Sequence, residues 1–180
     1  MLILSTAAPA FAELRIADFS LGLNDHELAV HVVLLGTIPQ SLHEALASGI
    51  PVQIRLEVEL WQYQRFWVDR RILARVIERQ VAYDVLTKAY TVLSVGGEKR
   101  EPYVTKDLRE AQRVASELRG LKLIAAATLN PHELYYVRVR ADVAARGAGS
   151  VLGRLLPFMG GGDEQTPWVS SALLTLARTQ

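Results

Sequence analysis

The stretch from Val52 to Leu60 constrains the fold of this chain more than any other. Apolar and polar residues alternate strictly along it, with apolar side chains at Val52, Ile54, Leu56, Val58 and Leu60. An alternation of period two predicts a β-strand with one buried face and one face in water. We therefore expect Leu56 and Val58 to lie in the core.

Several other segments carry strand patterns. We predict strands over residues 14–23 (with a bulge or kink), 27–35, 68–83, 90–95, 123–128 and 134–143, and a last element near 167–169. The sequence Asn24-Asp25-His26 predicts a turn between the first two strands. Asn130-Pro131 lies between the last two long strands, which we expect to form a pair.

Two segments have helical spacing instead. Residues 39–48 predict a short helix, because Gly49 suits the C′ position and Pro51 follows it. Residues 106–118 predict a second helix with Thr105 as N-cap and Gly120 at its end. Strands without regular βαβ alternation favour a mainly β fold, an antiparallel β-sandwich-like domain with two short helices; an α+β fold is the second choice.

The first twelve residues, MLILSTAAPAFA, resemble a secretory leader. Small residues at Ala10 and Ala12 follow an apolar run, and charge begins at Glu13. We therefore expect residues 13–180 to form one domain that is exported to the periplasm, with cleavage after Ala12. The basic residues that normally precede the apolar run are missing, so the alternative is that residues 2–12 form a buried first element.

Composition narrows the classes of function. The net charge of +1 provides no broad basic surface for nucleic acid, and the absence of cysteine removes disulfides and thiolate chemistry. The four histidines show no paired-ligand spacing, and no dinucleotide, phosphate-loop or Gly-x-Ser-x-Gly pattern occurs. We predict no metal, no cofactor and no catalytic residues; the weakest alternative is a hydrolase whose catalytic residues are dispersed along the chain.

Aromatic and arginine residues concentrate between Leu56 and Val92, and they form our candidate binding surface. Its members are Trp61, Tyr63, Arg65, Trp67, Asp69, Arg70, Tyr83 and Tyr90. Aromatic rings beside guanidinium groups can hold a polar ligand or a peptide. The favoured alternative is a cross-strand aromatic ladder in which Asp69 binds an arginine. Glu57 and Glu59 could mimic an acid pair, but Arg55 on the same face favours a solvated charge ladder.

A second candidate surface lies near the C-terminus. The segment 151–159 is apolar except for one arginine, and it could contact a bilayer through Leu152, Arg154, Leu155, Leu156, Phe158 and Met159. The alternative for this segment is a loop that covers the core.

The order of motifs resembles an uncharacterised exported proteobacterial family, domain of unknown function 4390. The resemblance rests on Arg65-Phe66-Trp67-Val68-Asp69-Arg70, the segment 83–90, the helix 107–118, the strand 135–140 and Pro167-Trp168. It implies an exported protein encoded near a membrane sensor kinase of the nitrogen-response type, and it implies no known reaction.

Together these observations predict a non-enzymatic extracytoplasmic binding or accessory module. Its partner would be a protein or small ligand of the cell envelope, linked to envelope sensing. The alternative is a peripheral membrane or lipid-binding module that uses residues 151–159.

Overall fold

A computed structural model of the protein describes residues 13–146 and 164–175. The predicted leader (1–12) and the predicted membrane segment (151–159) lie outside the described residues. The strands are β1 (Arg15–Asn24), β2 (Glu27–Leu35), β3 (Val52–Tyr63), β4 (Arg70–Asp84), β5 (Ala89–Gly96), β6 (Tyr103–Thr105), β7 (Glu117–Ala125), β8 (Leu134–Ala145), β9 (Glu164–Gln165) and β10 (Val169–Ser170); the α-helices are α1 (Gln40–Ala47) and α2 (Leu108–Ser116).

The strands form two open antiparallel sheets. The smaller sheet has the order β1-β2-β7, and the larger has the order β10-β8-β3-β4-β5-β6 with β9 also paired to β8. The predicted mainly β, sandwich-like fold with two short helices is therefore confirmed. β5 pairs only with the half of β4 that begins at Glu78. Among the described residues, the stretch 70–77 of β4 consequently has β3 on one side and no strand on the other.

The core lies between the two sheets, and the alternation along β3 produces one wall of it. Leu56 is 5% exposed and Val58 is fully buried, as predicted. Val30 and Val32 of β2 are also fully buried and belong to the same apolar cluster. The polar residues of β3 point to the opposite face of the larger sheet, because successive side chains of a strand alternate between faces.

The first hairpin follows the sequence prediction closely. Asp25 and His26 both have positive φ (51° and 63°), which suits a two-residue turn that matches the twist of its strands. The pairing of β1 with β2 shifts register between Ile16 and Asp18, at the irregularity expected in the first strand. Gly49 has φ of +82° just beyond α1, as expected of a C′ glycine.

The second helix differs from the prediction. It is capped by Asp107, whose carboxylate accepts a hydrogen bond from the backbone N of Arg109, and it ends at Ser116 rather than at Gly120. Gly120 lies inside β7 with φ of +64°. The expected pairing of strands 123–128 and 134–143 is also wrong, because β7 ends at Ala125 and belongs to the smaller sheet, while β8 lies in the larger one.

A buried arginine explains why α2 stops where it does. Arg79 is 5% exposed and lies on the core face of β4, where its Nη1 donates to the carbonyl oxygens of Val114 (3.2 Å), Ala115 (3.0 Å) and Glu117 (2.7 Å). These include the carbonyls that a helix leaves unsatisfied at its C-terminus. The guanidinium of Arg79 thus donates hydrogen bonds to backbone carbonyls at both the end of α2 and the start of β7.

The charge of Arg79 is balanced by Glu98, which follows β5. Nη2 of Arg79 donates to Oε2 of Glu98 at 3.0 Å, and the Nε–Oε1 bond makes the pair bidentate. Gly97 lets the chain just before Glu98 lie close against β4, because a Cβ at position 97 would be 1.9 Å from the carbonyl oxygen of Val76. We name this group of Arg79, Glu98 and the three carbonyls the Arg79 clamp.

Candidate functional site

The turn between β3 and β4 presents the most exposed apolar group among the described residues. Phe66 is 84% exposed, Trp67 is 82% exposed and Val68 is 87% exposed. We name these three residues, together with the exposed Arg65, the hairpin tip. Large apolar side chains that stand side by side in water are typical of interaction surfaces, whereas single exposed ones are ordinary.

The polar residues at the base of the turn hold its shape. Asp69 accepts a hydrogen bond from the backbone N of Gln64 at Oδ1 (2.9 Å) and one from the hydroxyl of Tyr136 at Oδ2 (2.9 Å). Arg70 donates twice to Oε1 of Gln62, at 2.7 and 3.0 Å. The expected bond between Asp69 and an arginine is therefore wrong, because the neighbouring cation binds an amide instead and the carboxylate is taken up by the turn and by β8.

A stack of aromatic rings and an arginine lies on the outer face of the larger sheet, below the hairpin tip. The guanidinium of Arg138 is 4.4 Å from the ring centre of Trp61 and 4.4 Å from that of Trp168. Trp61 in turn stacks on Tyr136 with ring centres 6.5 Å apart. This arrangement, in which the segment between β9 and β10 covers Arg138, fits the aromatic-ladder alternative for Trp61.

Glu59 is the anion at the centre of this stack. It is 6% exposed and accepts from Arg138 (2.6 Å), from Trp61 Nε1 (2.8 Å) and from Arg71 (3.0 Å). Burial alone would raise the pKa of Glu59, but the three hydrogen bonds together hold this pKa below its ordinary value. Tyr136 shows the opposite change: burial first, and then its bond to Asp69, raise the pKa of its hydroxyl.

The charge ladder continues along the same face. Glu57 lies 3.0 Å from Nη2 of Arg55 and 2.8 Å from Nη2 of Arg140. Burial raises the pKa of Asp142 despite the nearby arginines. The ladder expected for Glu57 and Glu59 is therefore present, although Glu59 is buried rather than solvated.

The eight predicted surface residues lie in separate places. Tyr63, Arg65 and Trp67 line a shallow depression beside the loop that leads into β8, and Asp69 and Arg70 stabilise the turn. Tyr83 and Tyr90 pack against each other with ring centres 4.8 Å apart, at the other end of β4. A strand rises about 3.3 Å per residue, so roughly 40 Å separates this pair from Arg70. Trp61 lies in the half-buried stack around Arg138.

Sequence reasoning missed a groove between the helices. It has a volume of about 920 Å³ and is open to solvent. Leu35 and Ile38, from the end of β2 and the loop after it, form an apolar wall, while Arg109 of α2 and His43 of α1 contribute polar groups. The signal in the sequence was weak, because these residues come from three separate elements and share no motif.

Within residues 13–146 and 164–175, no three or more His, Cys, Asp and Glu residues come close enough to hold a metal ion. In the same ranges, neither helix has the length and apolar character needed to cross a bilayer.

The fold and its surfaces thus define a β-rich domain of two antiparallel sheets that displays an apolar hairpin tip. The family model described as Domain of unknown function (DUF4390) matches residues 12–171, and the chain belongs to this family. No curated protein and no solved structure gives a significant match to the chain.

Proposed function

We propose that the protein is a non-enzymatic binding module that acts outside the cytoplasm and contacts a protein partner of the cell envelope through the hairpin tip. The exposure of Phe66, Trp67 and Val68 is the observation that supports this proposal. Aromatic residues are enriched at the centres of protein interfaces, where burying them supplies most of the binding energy.

The rigidity of the turn also supports a role in binding. Asp69, Gln62 and Arg70 are engaged in hydrogen bonds that fix the two strands on either side of the tip. A surface that is held in its bound shape loses less conformational entropy when it associates. The hairpin tip therefore has the properties of a preorganised contact.

The first partner to test is the extracytoplasmic part of a membrane sensor kinase encoded beside the gene. This choice rests on the family resemblance, which links the protein to envelope sensing. The proposal includes export with cleavage after Ala12, so the N-terminal sequence of the protein recovered from the periplasmic fraction should begin at Glu13. Recovery of the intact chain in the cytosol alone would contradict the export part.

The binding proposal is tested by placing the photo-crosslinking residue p-benzoylphenylalanine at position 67 in living cells. A matched control is position 86, because Leu86 is 93% exposed at the turn on the opposite end of β4. We expect a discrete crosslinked envelope protein from position 67 and none from position 86. Trp67→Ala should weaken binding of the purified partner at least tenfold without changing the melting temperature.

Two results would contradict the proposal. One is the absence of a crosslink from position 67 in cells that express the sensor kinase. The other is equal crosslinking from both positions, which would indicate random encounters with exposed surface.

Peripheral membrane contact is the second candidate function, and the hairpin tip supports it independently of residues 151–159. Trp67 and Phe66 are of the types that insert at the bilayer interface, and Arg65 beside them could bind anionic headgroups. Sedimentation with phosphatidylcholine vesicles tests membrane binding. The vesicles are prepared with and without about 30 mol% phosphatidylglycerol, which is anionic. Binding that is lost in Trp67→Ala and retained in Leu86→Ala would favour this candidate; equal loss, or no sedimentation, would exclude it.

A further inference from the structure

The groove between α1 and α2 has the size and the lining of a small-molecule site. Its volume of about 920 Å³ lies within the range of about 300–1,000 Å³ that ligand pockets occupy. Val33, Leu35, Ile38 and Pro39 form its apolar wall, in which Leu35 is 43% exposed and Ile38 only 3%. This wall could accommodate a hydrocarbon chain or ring system and remove it from water.

The charged residues of the groove favour an anion. Three arginines (Arg15, Arg109 and Arg113) and two glutamates line it. Glu117 is already paired, at 2.7 Å with Arg119 and at 3.8 Å with Arg113. Among the described residues, Arg15 and Arg109 have no carboxylate within salt-bridge distance. A ligand that brings a negative group would therefore meet two arginines that have no carboxylate partner within residues 13–146 and 164–175.

The polar atoms inside the groove add hydrogen-bonding capacity. Nε2 of His43 has no hydrogen-bond partner among the described residues and is shielded from water, so a ligand would reach it only if the imidazole turned toward the groove. Ser116 Oγ donates to the carbonyl of Gln112, so the 2.8 Å contact between Thr37 and Ser116 uses the Thr37 hydroxyl as donor and leaves Thr37 Oγ1 able to accept. A buried polar atom without a partner is destabilising unless a ligand or water satisfies it.

We propose that this groove binds an amphipathic anion, a small molecule with one carboxylate, sulfonate or phosphate group and an apolar body. The apolar body would lie along Leu35 and Ile38, and the anionic group would lie between Arg15 and Arg109. This site is distinct from the hairpin tip, and it does not depend on the function proposed for the tip.

The probe for this site is 8-anilino-1-naphthalenesulfonate, an aromatic sulfonate whose fluorescence rises in apolar surroundings. We expect saturable binding of one probe per purified full chain. Dodecanoate should displace the probe, whereas dodecyltrimethylammonium, which has the same chain and the opposite charge, should not. The two competitors are compared below their micelle-forming concentrations.

Two pairs of variants locate the binding. Arg109→Glu should weaken probe binding at least tenfold, and its matched control is Arg75→Glu, an exposed arginine outside the groove. Leu35→Ser should also weaken binding, and its control is Leu86→Ser; both leucines are exposed, at 43% and 93%. Each variant is first melted, and the Leu35 pair decides the question if Arg109→Glu does not fold.

Several outcomes would overturn the proposal. They are binding that does not saturate, displacement by both detergents alike, and equal effects in a groove variant and its control. Each would show that the probe associates with apolar surface in general rather than with this groove.

Discussion

Replacement of Arg79 by methionine should destabilise the protein more than any exposed arginine replacement. The substitution keeps most of the side-chain length but removes the guanidinium of the Arg79 clamp. Glu98 would then lose its partner, and the carbonyls of Val114, Ala115 and Glu117 would lose their donor. These carbonyl groups at the end of α2 and the start of β7 would then remain buried without a hydrogen-bond donor.

The magnitude follows from the burial of the pair. Removing one partner of a buried ion pair destabilises a protein by about 3–5 kcal/mol. The Glu98 side chain keeps 17% exposure, so water can partly solvate the carboxylate, and we expect the lower part of this range, about 3–4 kcal/mol. For a domain of this size, each kcal/mol lowers the melting temperature by about 2–4 °C, which gives a decrease of about 6–16 °C.

Urea unfolding and thermal melting followed by circular dichroism measure this effect. Arg75→Met is the control, because Arg75 lies on the same strand but is exposed, and its unfolding free energy should change by less than about 0.5 kcal/mol. A double-mutant cycle with Glu98→Gln should give a coupling energy of at least about 1 kcal/mol. If Arg79→Met melts like Arg75→Met, the clamp does not stabilise the fold and the reasoning is refuted.

Four further substitutions at three positions test other parts of the structure. Val58→Asp should lower the unfolding free energy by several kcal/mol in urea, because it buries an unpaired charge at a fully buried position; a parental urea midpoint would contradict the assigned core face. Asp69→Ala should lower the unfolding free energy by about 1–3 kcal/mol, since two hydrogen bonds are lost. Asp69→Asn keeps an acceptor and should lower the unfolding free energy less. Equal effects of the two substitutions would show that these bonds do not hold the turn. Glu59→Gln tests the lowered pKa of Glu59. Because this pKa in the folded protein lies below the unfolded value of 4.5, the charged carboxylate stabilises the fold above about pH 4.5. This contribution disappears as the pH falls through the native pKa. The difference in unfolding free energy between Glu59→Gln and the parent should therefore shrink below about pH 4.5, and a difference that stays constant down to about pH 3 would argue against the ionised network.

Strands could be predicted where apolar and polar residues alternate along the sequence. The residues of β3 alternate between core and outer face, so this strand could be placed within a few residues. Gly49 marked the end of α1 because the residue just beyond a helix often takes a positive φ, which glycine adopts without strain. Local rules of this kind were sufficient wherever one element determined its own boundaries.

The errors arose where distant residues decide the local structure. Gly120 was expected to end α2, but the helix stops at Ser116, where Arg79 of β4 satisfies its carbonyls. Arg79 also interrupts the apolar alternation of its strand, and the sequence does not show that Glu98 compensates for it. Likewise, the residue next to Asp69 in the chain is a plausible partner, but Tyr136 reaches its carboxylate from another strand.

The candidate surface shows the same limit. Its aromatic and arginine residues are close in sequence, but β4 extends through the cluster and carries Tyr83 to the opposite end of the sheet. Clustering along a chain indicates proximity only within one turn, whereas a long strand separates its ends. The groove between the helices is the converse case, because its residues are distant in sequence and adjacent in space.

The half of β4 that has a single neighbour among the described strands affects how the protein behaves at high concentration. An unpaired strand edge offers free N–H and C=O groups to a second copy of the chain, and this is a common route to aggregation. Arg70 and Arg75 lie along this edge, so two copies that joined there would bring like charges together. Salt screens that repulsion. The protein should therefore remain dispersed most readily in buffers of low ionic strength, and concentrated salt would remove this protection from self-association.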